Sequence, residues 1–269
     1  MATSKTSALL QGKKVVVIGG SSGIGFSAAS AFIEEGATVI IGSSSQSRVD
    51  SAIQRLSDPN IQYNADPSRI SGHTVNLKGS NAETSLKEFF SKVGTFDHLI
   101  YTAGDSLVTK PLSEWNYQDI VDVGSVRFTS AILAVKVATS DSNLLKQNGS
   151  SSIVLTTGIV GVKPSSGWSV VAGYAAGLYG LTRNLALDLS DKGIRVNAVA
   201  PGAVETELWH AFPEETRKQV LQSRGDKLLT GRVGQPEDLA NVYIYLTKDK
   251  NITAQIIVSD GGDSTVERS

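Results

Sequence analysis

The fold class this sequence predicts is α/β: one doubly wound Rossmann domain with a seven-stranded, mostly parallel sheet flanked by helices. Three observations predict it. A β-branched run, Val15 to Ile18, ends in a glycine-rich turn and passes straight into an amphipathic segment. Beyond it, short apolar runs alternate with segments of helical periodicity about 10–15 residues long, the signature of βαβ units and a parallel sheet. No linker, internal repeat or second composition regime divides the 269 residues, a length that one α/β domain can fill.

The elements follow in chain order. The first turn carries Gly19, Gly23 and Gly25, spaced Gly-x-x-x-Gly-x-Gly, and the helix opening at Ile24 repeats small or apolar residues at Ala28, Ala29, Ala31, Phe32 and Ile33. Glycines there let the backbone approach a pyrophosphate, and a helix N-terminus offers free N–H groups and a partial positive charge. Strand, turn and helix in that order are the context a phosphate-binding unit needs. Ala37 to Gly42 is a second strand, Ser43 to Gln46 a serine-rich turn, and Arg48 to Leu56 a helix with Val49, Ile53 and Leu56 on one face. After a polar loop at 58–68, His73 to Leu77 is expected as the third strand and Ala82 to Val93 as the next helix. Asp97 to Tyr101 then enters a second glycine turn, Thr102-Ala103-Gly104.

The second half repeats the pattern. Trp115 to about Ser140 reads as one helix, Ser151 to Thr156 as a strand, Val171 to Leu189 as a helix and Ile194 to Val199 as a strand stopped by Pro201-Gly202. Pro213 to Ser223 and Pro236 to Leu246 read as helices, each with proline at the start and acidic residues in the first turn. Ala254 to Val258 closes the series. The domain is expected over 12–262, between a flexible N-terminus at 1–11 and a tail at 263–269.

Composition narrows the function classes. The chain is 40% hydrophobic with a formal charge of −1, enough for a large core and without the basic footprint of a nucleic-acid or anionic-membrane binder. It has no cysteine, so disulfides, thiolate metal sites and cysteine nucleophiles are excluded. His73, His98 and His210 are far apart, and no metal site is expected. No apolar run approaches the roughly 20 residues of a membrane helix, and residues 1–14 contain no apolar signal region. A cytoplasmic location is the expectation.

Taken together, Gly19-x-x-x-Gly23-x-Gly25, Tyr101-Thr-Ala-Gly104, Arg195-Val-Asn-Ala-Val-Ala-Pro-Gly202 and the Gly261-Gly262 pair resemble a short-chain dehydrogenase/reductase over residues 12 to about 262. The resemblance implies a nicotinamide cofactor, a small-molecule substrate and a homo-oligomer. Members of that family use Asn, Ser, Tyr and Lys to move a proton at the substrate carbonyl. Aligned through Gly177 to Arg183, those positions fall here on Gly124, Gly158, Val171 and Ala175, none of which can move a proton. Tyr174 stands near the tyrosine position, but Leu178 rather than lysine follows it four residues later. It is either a surrogate acid or a packing residue.

Gly124 to Phe128 and Pro164 to Ala172 further resemble fungal members of secondary metabolism that lack the four residues. These are the NADPH-dependent reductase/Diels–Alderases of malbrancheamide- and paraherquamide-type alkaloids. Their pocket arginine and tryptophan match Arg127 and Trp168; their aspartate position holds Ser165. The expected substrate is therefore a polycyclic small molecule. Arg127 would bind or orient it, Trp168 would stack on it, and Ser165 would lie where a carboxylate is missing.

Cofactor choice has a physical basis. Dinucleotide sites for NAD place a carboxylate at the end of the second strand to hold the ribose 2′-hydroxyl. Residues 42–48 hold none; Ser43, Ser44, Ser45 and Arg48 suit a 2′-phosphate instead, which favours NADP(H). Gly19, Ser21, Ser22 and Ile24 are expected at the pyrophosphate. Asn76 and Leu77 are expected near adenine, Ala103 and Gly104 beside the ribose, and Pro201, Val204 and Thr206 at the nicotinamide end.

Hydride delivery to an iminium yields a neutral amine and needs no proton donor, whereas an alkoxide does. The expected function is accordingly an NADP(H)-dependent reductase of an activated substrate in fungal secondary metabolism, with guidance of a Diels–Alder-type cyclisation as a second expected capacity. A non-redox cyclase or isomerase using the cofactor as pocket wall, or a dinucleotide-binding protein without catalysis, stays open on the residues alone.

Overall fold

The computed structural model describes residue 6, residues 8–105 and residues 107–265; the expected N-terminal stretch and C-terminal tail lie partly outside them. Seven strands form one sheet: β1 Lys14–Ile18, β2 Thr38–Ser43, β3 Ile70–Thr74, β4 His98–Tyr101, β5 Ser152–Thr156, β6 Arg195–Pro201 and β7 Ile256–Ser259. Their order is β3-β2-β1-β4-β5-β6-β7. All six pairings are parallel, so the sheet is wholly rather than mostly parallel.

Among the described residues, eight α-helices cover it: α1 Gly23–Glu34, α2 Gln46–Ser57, α3 Ala82–Val93, α4 Tyr117–Gly124, α5 Ser130–Thr139, α6 Ser169–Asp188, α7 Glu214–Gly225 and α8 Pro236–Lys248. A parallel sheet is buried on both faces, which is why its strands read as near-continuous apolar runs. Successive residues of β1 divide between the two faces. Val16 and Ile18 join the cluster under α3, α5 and α6, while Val15 and Val17 join the cluster under α1, α2 and α8. Each such buried side chain contributes roughly 1.5–3 kcal/mol. Leu10, ahead of β1, is buried with the second cluster.

Two expectations need correction. The third strand is Ile70–Thr74, not His73 to Leu77, and pairs Val39↔Ile70 through Ser43↔Thr74. The alternation of Val75 and Leu77 is real burial, but those residues pack after the chain has left the sheet. Gly72, a weak strand former, hides the true strand because a Cβ there would stand 2.6 Å from Ile41 Cγ1.

The helix expected from Trp115 to Ser140 starts later, at Tyr117, and runs to Thr139 without being α-helical throughout. Trp115 stays outside it, with Nε1 donating to Lys110 O at 3.2 Å. Asn116 caps α4 by accepting from Asp119 N at 2.9 Å. Between α4 and α5 lies a π-helical turn, Ser125–Thr129, an inserted residue of the kind found at functional positions.

At the opposite end of the sheet His98 is buried, its Nδ1 2.9 Å from Ser152 Oγ. Burial pushes the imidazole pKa down to about 3 from 6.5; Asp97 raises it, and Arg195, Lys13 and Lys146 lower it further. A folded-state pKa below the unfolded one gives stability that is complete above about pH 6.5 and falls as the unfolded chain takes up the proton. Unfolding free energy measured from pH 8 to 5 is expected to decline below pH 6.5 by up to about 1.4 kcal/mol per unit from this group. His98→Gln is expected to flatten that slope, leaving the smaller part from His73, whose pKa is also lowered by burial and by Lys92.

Candidate active site

The strand order reverses between β1 and β4, and the carboxyl ends of strands at such a switch point form a ligand crevice. Ile18 pairs with Tyr101 at that edge, so the two glycine turns face each other. Gly19 has φ +92°, and a Cβ on it would lie 2.5 Å from Ala103 N and 2.7 Å from Thr102 Oγ1. A Cβ on Gly25 would overlap Gly19 O and Thr102 Oγ1. The first turn therefore closes only with glycine, and it brings α1 end-on to the crevice.

At the start of α1, Ser22 makes no side-chain cap and the first turn has no acidic residue. Such a terminus turns backbone N–H groups toward an anion, although Gly23 N already donates to Glu207 Oε2 at 2.7 Å. The serine turn adjoins it: Ser21 Oγ is 2.8 Å from Ser43 Oγ. Ser43 is buried at the end of β2, while Ser44 and Arg48 are exposed. Ser45 Oγ lies 3.2 Å from Ser47 Oγ at the N-cap of α2. Thr206 closes the other side, with Cγ2 3.2 Å from where a Cβ on Gly23 would stand.

The structure thus gathers Gly19, Ser21, Ser22, Ile24, Ser43, Ala103 and Thr206 around one crevice. Pro201 ends β6, and Val204 is buried beyond it, bridging to Gly234. Asn76 is exposed and its side-chain oxygen accepts from Lys78 N at 3.0 Å, while buried Leu77 accepts from Ser130 Oγ at 2.6 Å.

Arg127 occupies the π turn. Its guanidinium lies against Gly104, where a Cβ would stand 2.5 Å from Nη1, and Nη2 donates to Asp105 O. Burial lowers the pKa of Arg127 below its ordinary value, and Asp105 and Tyr101 oppose that shift; the group stays cationic. Asp105 itself pairs with Lys78 at 3.2 Å.

Two tyrosines brace this turn. Tyr101 donates to Val126 O at 2.6 Å, and Tyr174 donates to Ile120 O at 3.0 Å. The Tyr174 ring fills the space over Gly124, where any Cβ would overlap it, and packs on Phe128 with centroids 5.6 Å apart. Its proton is therefore directed at the helix backbone, which makes it the packing residue rather than a surrogate acid.

Trp168 is the N-cap of α6 and is half-buried; Ser165 is exposed, its carbonyl accepting from Trp168 N at 3.2 Å. Gly167 between them accepts from Lys110 N at 3.2 Å. Arg127 and Trp168 therefore stand at the two ends of the segment 104–110. No direct contact joins them among the described residues. Val171 and Ala175 are buried, Thr157 Oγ1 donates to Ala175 O at 2.8 Å, and Tyr179 donates to Gly158 O at 3.0 Å. Burial, and then Asp260, raise the Tyr179 pKa.

Sequence reasoning missed three of these residues. Tyr101 and Tyr179 lie within segments the sequence singles out, but nothing in those segments gives the carbonyls their hydroxyls bond, Val126 O and Gly158 O. Glu207, next to Thr206, sends Oε2 to Gly23 N at 2.7 Å, which places a carboxylate on the turn that suits a phosphate.

A crevice of this design at the switch point of a wholly parallel sheet defines a dinucleotide-binding enzyme fold. The chain belongs to the short-chain dehydrogenase/reductase family: an SDR-like Rossmann domain matches residues 7–265. It is 38% identical over 259 residues to the short-chain dehydrogenase/reductase fsr5 of Gibberella fujikuroi, covering 94% of this chain and 95% of that one. The structure of the MalC reductase/Diels-Alderase from Malbranchea aurantiaca superposes with a TM-score of 0.86 at 33% identity, covering 95% and 97% of the two chains. A small-chain dehydrogenase in complex with NADPH superposes with a TM-score of 0.74 at 26% identity, covering 95% and 100%. The family fold binds a nicotinamide dinucleotide. No helix among the described residues is long and apolar enough to cross a membrane.

A diphosphate held at the start of α1 would meet the carboxylate of Glu207, which occupies Gly23 N. Glu207→Gln is expected to tighten ADP-ribose and NADPH about two- to fivefold, the size of one charge at a helix terminus, measured by titration calorimetry. Unchanged or weaker binding would show that Glu207 leaves the turn at no cost.

Proposed function

We propose that this enzyme is an NADP(H)-dependent reductase acting on an activated, iminium-like carbon of a polycyclic substrate in fungal secondary metabolism. One observation carries the reading: among the described residues, the glycine turns of a dinucleotide crevice are in place, while the nearby tyrosine hydroxyls are bonded to backbone carbonyls. The positions matched to the family's proton-moving residues are Gly124, Gly158, Val171 and Ala175. The two nearby tyrosines spend their protons on Ile120 O and Gly158 O.

The absence of a carboxylate from residues 42–48 and the hydroxyls of Ser43, Ser44 and Ser45 support NADP(H) over NAD(H). Ser22 N and Ile24 N, with Thr206, would hold the diphosphate. Bound there, the reduced nicotinamide supplies a hydride. The residues of the chain then need only hold the acceptor carbon and exclude water. Arg127, a cation fixed against Gly104 and Asp105, binds a carbonyl or anionic group of the substrate and turns its positive carbon away from itself. Trp168 offers an indole face to the fused rings. Ser165 contributes a hydroxyl where a carboxylate would pair with the substrate cation. That difference leaves reduction as the main activity, with guided cyclisation following from pocket shape. A homo-oligomer in the cytoplasm fits this reading.

With 4-deuterated NADPH and cyclic iminium substrates, deuterium is expected in the product from one face of the cofactor. Turnover that proceeds equally with NADP⁺ would make the protein a non-redox cyclase instead. Arg127→Ala and Trp168→Ala are each expected to lower turnover at least about tenfold, as for the loss of a charged hydrogen bond or an aromatic contact. NADPH affinity should stay within about twofold. Normal turnover in both variants would remove these residues from the pocket.

A further inference from the structure

Arg55 lies in the last turn of α2, a place with no motif, and its surroundings are unusual for a surface arginine. Its guanidinium carbon sits 3.8 Å from the centroid of the Phe26 ring on α1. Nη2 donates to Ser21 O at 3.0 Å. Nε is buried and has no hydrogen-bond partner. Among the described residues no carboxylate pairs with it. The nearest acid on the same helix by sequence, Asp50, is engaged with Gln46 Nε2 at 2.8 Å.

A half-buried cation without an anion is costly to keep. Stacking on an aromatic face recovers part of that cost and holds the planar fork in one orientation. The fork is aimed at the first glycine turn. Ser21, whose carbonyl it holds, shares its hydroxyl with Ser43 at the end of β2. Arg55 is therefore one residue removed from the corner where the ribose 2′ position of a bound dinucleotide lies. The loop at that corner supplies hydroxyls, and Arg48 there is exposed.

We propose that Arg55 is a specificity-determining residue for the cofactor: it supplies, from the second helix, the preorganised charge that binds the 2′-phosphate of NADP(H) beside Ser43 and Ser44. The inference rests on the NADP(H) reading above and goes beyond it by naming the residue responsible. Phe26 is then a positioning residue, since its ring fixes the fork. The anion is a phosphate monoester dianion, which a bidentate guanidinium matches in charge and shape.

Dissociation constants for NADPH, NADH and 2′,5′-ADP, measured by calorimetry on the wild-type chain and on Arg55→Gln, Arg55→Lys and Arg48→Gln, test it. Arg55→Gln is expected to weaken NADPH and 2′,5′-ADP by roughly tenfold or more, the loss of a charge-assisted hydrogen bond, with NADH changed less than about twofold. Arg55→Lys, which keeps the charge without the fork, should fall between and serves if the glutamine variant does not fold. Equal weakening of NADPH and NADH would make Arg55 a brace of the glycine turn and overturn the proposal. So would a preference for NADPH that Arg48→Gln removes and Arg55→Gln leaves intact. A wild-type chain that binds NADH as tightly as NADPH would overturn the NADP(H) reading itself, and this proposal with it.

Discussion

Everything in this molecule hangs on the contact between two turns, Gly19 to Gly25 after β1 and Thr102 to Gly104 after β4. Gly19 and Gly25 are pressed on each other and on Thr102 so closely that neither position admits a methyl group. Thr102 completes the clasp by bonding Ile18 O through both its N–H, at 2.8 Å, and its hydroxyl, at 3.1 Å. This contact sets α1 end-on to the crevice, fixes where β4 must end, and places Gly104 under Arg127. The proposed cofactor and substrate sites would thus be joined through a few backbone atoms, with little freedom to move one without the other.

In the second half of the proposed site, side chains fill the space that small residues leave. Gly124 has no side chain, and the Tyr174 ring occupies the space this leaves while its hydroxyl ties down Ile120 O. The π turn that follows is pinned by Tyr101. Together these contacts spend two phenols on building a platform for one cation. On the proposed reading, such a site would be electrostatic and shape-selective and would offer a developing alkoxide no proton. It suits substrates whose reaction ends in a neutral product without one.

The fold was legible because its signals are local. Glycine spacing, β-branched runs and proline-led helix starts each act within a few residues, and α3 falls where its periodicity puts it. Misjudged elements are those in which tertiary contacts override local pattern: β3 runs through Gly72 as an edge strand, and α4 passes into a π turn where Tyr174 holds an α4 carbonyl, Ile120 O, and Tyr101 holds one in the turn itself, Val126 O. The same holds for the site. Ser21, Ser43 and Thr206 were readable from motifs, and the structure places Ser21 against Ser43 and Thr206 beside Gly23. Arg55, Glu207 and the roles of Tyr101 and Tyr179 depend on partners 21 to 184 residues away in the chain, and no single-sequence pattern encodes such meetings.

Most direct as a test of the central claim, that hydride delivery here needs no protein acid, is single-turnover NADPH oxidation with matched substrates. A cyclic iminium and the ketone of the same ring are compared in H₂O and D₂O. The iminium should be reduced at a rate unchanged by solvent deuteration and flat with pH wherever it stays cationic, and the ketone should react at least about a hundredfold more slowly, the usual worth of a general acid. Comparable rates for the two, with a solvent isotope effect on the ketone, would contradict the account and place a working proton donor in this pocket.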